Sequence, residues 1–183
     1  MNHVERLQAL EACKESIEFA RRFSHAQEAW ENNTRPDWAL WLLTALGGEY
    51  HVMAVRLAAD FAEHVIHLAG EGRPVVEAAI AAARAWADNP CEETQSAAQR
   101  AARVAYAAHA AYAATYAADA AYAARAAHAA YAAAYATYTP DAAAYAAVAA
   151  ADAASAADPE AEEAWQISRI REICPNCPIE GEK

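Results

Sequence analysis

The side chains in this sequence best suited to chemistry are tyrosines, histidines and arginines set three or four residues apart in an alanine tract from Asn89 to Tyr138. With one aspartate among them, they read Arg100, Arg103, Tyr106, His109, Tyr112, Tyr116, Asp119, Tyr122, Arg125, His128, Tyr131, Tyr135 and Tyr138. A tyrosine offers a flat ring and a phenol, a histidine donates or accepts, and an arginine brings a fixed charge with five donors. Alanine between them leaves space. Such a set stacks on a planar ligand and neutralises an anion, but supplies no nucleophile. The order His109, Tyr112, Tyr116 recurs nineteen residues later as His128, Tyr131, Tyr135. The candidate ligand-binding residues are therefore Arg103, Tyr106, His109, Tyr112 and Tyr116 with Arg125, His128, Tyr131 and Tyr135. The plainer reading has these rings filling gaps between close helices, with their hydroxyls bonded locally.

Other reactive groups are sparser. Asp60/His64 and Glu63/His67 are i,i+4 pairs that can join through hydrogen bonds on one helix. The Glu-x-x-His spacing of di-iron bundles is absent there, so no metal is expected. Cys174-Pro-Asn-Cys177 is a lone CxxC with no second pair and no β-α-β setting, and reads as structural or tail sequence. No GxGxxG, P-loop lysine, HExxH or GxSxG motif is present. No nucleophile, base and oxyanion site can be assembled. The reading is a non-enzyme without catalytic residues or cofactor.

The elements that position the rings are helices. Alanine loses no rotamer freedom in a helix, and no Gly or Pro interrupts the tract between Cys91 and Thr139. From Arg100 to Tyr138 the mean step is about 3.2 residues, and each three-residue step falls about 60° short of a turn. On one straight helix the rings would wind around the barrel. An unbroken helix would also run about 75 Å, against roughly 40 Å for a compact domain of this size. Two equivalent helices with a break near Asp119 are expected.

Elsewhere the pattern is also helical. Val4 to Phe23 reads as one amphipathic helix. Ser24 and Gln27 resemble a capping box for a short helix through Trp30. Pro36 starts an apolar core helix containing Trp38, Leu40, Trp41, Leu42 and Leu43, which Gly47-Gly48 ends. A stripe of Tyr50, Met53, Leu57, Phe61, Val65 and Leu68 marks the next. Gly70 to Pro74 reads as a loop before a helix through Ala87, and Asn89-Pro90-Cys91-Glu92 as N-cap to N3 of the alanine tract. Pro140 and Pro159 open two more helices, and Cys174-Pro175 stops the last. No segment alternates with period two. The expected fold is all-α, a single-domain bundle of about seven to nine helices. Residues 1–88 supply larger core side chains, 89–173 are Ala/Tyr-rich, and 174–183 form a flexible tail.

With 25 acidic and 14 basic residues the net charge is −11, which argues against a nucleic-acid binder but permits a basic protein partner. The N-terminus does not read as a signal peptide, and no apolar run suits a membrane span, so a reduced cytoplasmic chain is expected. Much alanine-lined helix face argues for a homo-oligomer.

At Arg73-Pro74 through Ala85-Trp86-Ala87, followed by long Ala/His/Tyr helices, the chain resembles alanine-rich immunity proteins of bacterial polymorphic-toxin systems. Asp37 to Leu43 and Ile167 to Ile173 are similar to pieces of related alanine-rich proteins carried by phages. The resemblance implies an all-α, non-catalytic protein acting in conflict between bacteria, or between phage and host, and it defines no site residues. Three functions follow: sequestering a small nucleotide-like immune signal, capping a cognate protein toxin, or a structural oligomer.

Overall fold

The computed structural model describes residues 1–113, 118–137, 139, 141–154 and 159–179, with the backbone alone for 111–113, 118–124 and 159. It is 82% helix, and no strand occurs among the described residues. The class is all-α. Ten α-helices are described, against about seven to nine expected, because the first amphipathic segment is split.

Helix α1, His3–Ala9, opens on a capping box: the Asn2 side chain accepts from the Glu5 N–H at 2.9 Å, and the Asn2 N–H donates to the Glu5 carboxylate at 2.8 Å. The single helix expected over Val4–Phe23 ends after one run. Glu11 adopts φ 61°, the Ala12 N–H donates to the Leu7 carbonyl at 3.0 Å, and the Glu11 N–H to the Gln8 carbonyl at 3.0 Å. That is a Schellman stop with glutamate where glycine is usual. The chain resumes as α2, Lys14–Ala20, and α3, Ala26–Asn32. The expected Ser24/Gln27 box does not form. His25 is the N-cap of α3 without a side-chain bond, and the Ser24 N–H donates to Glu28 at 3.2 Å.

Helices α4 (Pro36–Leu46) and α5 (Gly48–His64) meet at Gly47, whose φ of 70° few other residues adopt. Two 3-10 turns, Ile66–Leu68 and Gly70–Gly72, lead into α6, Arg73–Asp88. The alanine tract forms α7, Glu92–Ala113, and α8, Ala118–Tyr135, which pack against each other. The tract is thus two packed helices, with Asp119 in the first turn of the second, and the expected break between them lies outside the described residues. The start of α7 falls later than expected. Cys91 takes the cap position, and the Thr94 hydroxyl accepts from its N–H at 3.3 Å while donating to the Asn89 carbonyl at 2.8 Å. Helices α9 (Asp141–Ala154) and α10 (Pro159–Ile173) complete the set.

One hydrophobic cluster runs from Leu7 to Ile179. Most of its large members lie in α4 to α6, with Trp30 on α3 and Ile167 and Ile170 on α10, while α8 and α9 contribute only alanines to it. The i,i+4 partners expected on α5 are replaced by partners on other helices. His64 Nδ1 lies 2.6 Å from Glu162 on α10, its ring stacking on Trp165 at 3.7 Å, while Asp60 bonds Arg84 at 2.8 Å and Arg169 at 2.9 Å. Glu63 pairs with Arg84 at 2.6 Å, and the His67 ring meets the His64 carbonyl at 3.1 Å. Carboxylates on α5 thus join it to α6 and α10.

The flexible tail expected from Cys174 is corrected for residues 174–179. Cys174, Cys177 and Ile179 are buried, Trp30 Nε1 donates to the Cys174 carbonyl at 3.0 Å, and Arg6 donates to the Ile179 carbonyl at 2.9 Å. Gln27 clamps the same stretch, accepting from the Cys177 N–H at 2.6 Å and donating to the Pro175 carbonyl at 3.2 Å. Residues 180–183 lie outside the described residues.

Candidate functional site

Helices α7 and α8 hold their rings in one continuous ladder. On α8, His128, Tyr131 and Tyr135 stand at i, i+3 and i+7, so one side of the helix carries all three. Their successive ring centroids are 5.8 and 5.4 Å apart, with interplanar angles of 19° and 24°. On α7, Tyr106 and His109 stand at i and i+3, with centroids 6.2 Å apart. The two helices meet antiparallel. Tyr106 faces Tyr131 at 5.3 Å, and His109 faces His128 at 4.7 Å. Moving three residues forward on α7 matches moving three back on α8, which keeps the rungs aligned.

The ladder joins five of the nine candidate residues: Tyr106, His109, His128, Tyr131 and Tyr135. Arg103 is exposed one turn before Tyr106 on α7. Arg125 points another way, its Nη1 donating to the Asp152 carbonyl of α9 at 3.2 Å. Tyr112 lies in α7, but its side chain, like all of Tyr116, falls outside the described residues.

Burial lowers the proton affinity of His128, its neighbour His109 lowers it further, and the Asp152 carboxylate opposes both. The loss of hydration disfavours the charged ring. Burial likewise raises Tyr131, helped by Tyr135 and Tyr106. His128 and Tyr131 are thus neutral near pH 7, with hydrogen-bonding edges and little charge. Tyr106, the partner of Tyr131 across the ladder, is 55% exposed. A flat molecule meets an open aromatic face there, with Arg103 one turn away.

The clefts of the molecule lie elsewhere. A small cavity of about 60 Å³ is lined by Trp30, Trp38, Trp41 and Cys177, and two open clefts of about 470 and 400 Å³ flank α9. Among the described residues no group of three or more His, Cys, Asp and Glu is placed to hold a metal, and no helix is long and apolar enough to cross a membrane. Sequence reasoning missed the exposed side chains of α9, Tyr145 and Val148. Their signal was available: two large residues three apart, with Asp141 and Asp152 at the ends of an otherwise alanine helix. It also missed Glu162, 4% exposed, beneath His64.

The chain matches no family model, no curated protein and no solved structure.

Proposed function

We propose that this chain is a single-domain, non-enzymatic binding protein whose α7–α8 face takes up a small, flat, anionic molecule of the nucleotide type and acts by sequestering it. The observation that supports this reading is the ring ladder, which brings the histidines of both sequence repeats to 4.7 Å and leaves Tyr106 open beside Arg103. Stacking on aromatic faces with a nearby guanidinium tolerates any base and holds its phosphate. The setting is conflict between bacteria or between phage and host, in the cytoplasm, where the four free cysteines stay reduced. The ladder is open on one side, so a second copy facing it encloses the ligand, and the protein works as a homo-oligomer.

The test is calorimetry against linear and cyclic nucleotides, on the wild type and on Tyr106→Ala and Arg103→Ala. One lost base–aromatic stack is worth about 1–3 kcal/mol, so Tyr106→Ala weakens binding roughly 5- to 150-fold. Both side chains are exposed, so melting temperatures stay unchanged. If no nucleotide binds the wild type, or both variants bind as well as it does, the ladder is structural. A second reading, capping of a basic protein toxin, draws on the net charge of −11.

A further inference from the structure

Helix α9 turns a different face to solvent. Eight of its residues are buried alanines. Outward stand Asp141, Tyr145, Val148 and Asp152, at i, i+4, i+7 and i+11, which places them on one stripe. Tyr145 is 63% and Val148 45% exposed. Two clefts border the stripe, one containing Glu15, Trp38, Trp41 and Ala144, the other Val148, Asp152 and Glu163. Both include Arg35 and Asp37, so they form one groove with those two residues at its waist. The Arg35 charge is already engaged, bidentate on Asp37 at 2.9 and 2.7 Å and lying over the Trp38 ring at 4.8 Å. The other charged side chains lining the groove, Glu15, Asp152 and Glu163, are acidic, and Arg125 stands beside it, bonded to the Asp152 carbonyl.

We propose that the α9 stripe and this groove form the docking surface for a basic, amphipathic helical segment of a partner protein. Its apolar side covers Tyr145, Val148 and the half-buried Trp41, and its lysines or arginines meet Glu15, Asp152 and Glu163. Arg35 over Trp38 shows a guanidinium on an indole within the groove, and Trp41 offers a second. The charge of the chain selects the occupant. At −11 overall it repels nucleic acid, and a second acidic α9 face repels this one. The proposal rests on the capping reading and supplies the surface that reading needs.

The probe is a labelled leucine–lysine amphipathic helix, with a leucine–glutamate helix of the same pattern as control, followed by fluorescence anisotropy with the full chain. The lysine helix binds the wild type and the glutamate helix does not. Tyr145→Ala weakens binding about 10-fold or more, as for a central aromatic anchor. Val148→Ala weakens it less, and Glu163→Gln lowers affinity while flattening its salt dependence. Tyr106→Ala, on α7, leaves it unchanged. If the lysine helix binds Tyr145→Ala and Val148→Ala as tightly as wild type, the surface is wrong while the capping reading survives. If it does not bind the wild type at low salt, both fall. A dimer in sedimentation that Tyr145→Ala dissociates makes the face a self-interface and overturns the proposal.

Discussion

Phe61, Leu40, Leu43 and Leu57 fill the interior around α4 and α5, whereas the interior around α8 and α9 is filled by alanines, among them Ala126, Ala130, Ala133, Ala146 and Ala150. The first region holds its helices apart with large side chains that interlock. The second lets helices approach toward the short end of the usual 8–10 Å range, because only methyl groups stand between them. The difference decides where the rings go. In the first region Phe61 and Trp30 are inside. In the second the fully buried side chains are methyls, Tyr131 and Tyr135 are half-buried against them, and Tyr106 and Tyr145 stand outside. The ring face therefore lies on the alanine half, and the α9 groove lies where the two halves meet.

The sharpest way to break the contrast is to remove one large side chain from the first region. Leu43→Ala should cost about 2–5 kcal/mol, read as a lowered midpoint in urea unfolding. The reverse change in the second region, Ala130→Leu, should cost about 1–3 kcal/mol by overpacking a space sized for a methyl. If Ala130→Leu is neutral, the helices there are looser than described. Trp30→Phe keeps most of the ring but removes the donor to the Cys174 carbonyl, at a cost of about 1–3 kcal/mol for the buried carbonyl left unpaired. Glu11→Gly should stabilise by about 0.5–1 kcal/mol, since glycine adopts a positive φ without a Cβ clash.

His128 has its proton affinity lowered in the folded state, so the unfolded chain binds more protons near and below the ordinary value of 6.5. Stability should therefore fall as pH drops through that value, by a small amount. His128→Gln should reduce the slope of melting temperature against pH. An unchanged slope places the effect on another group.

Much of this architecture was legible. The mean step of about 3.2 residues and the excessive length of a single helix both called for two helices in the tract, and α7 and α8 are two helices packed together. Proline positions announced α4 and α10. What escaped depended on contacts remote in sequence. His64 pairs with Glu162, ninety-eight residues away, rather than with Asp60 one turn back. The stop after α1 escaped because its positive-φ residue is a glutamate, which no local rule marks as a terminator. At the candidate site the ring spacing was visible, but not the antiparallel register that brings Tyr106 to Tyr131.

The bonds from Arg6 to Ile179 and from Trp30 to Cys174 span 173 and 144 residues. During synthesis at about 5–20 residues per second, α1 and α3 emerge roughly ten to thirty seconds before the strap that holds them. In that interval Trp30 has no carbonyl to receive its N–H. The docking of α1 and α3 through these two bonds can therefore be completed only after the last helix has been made.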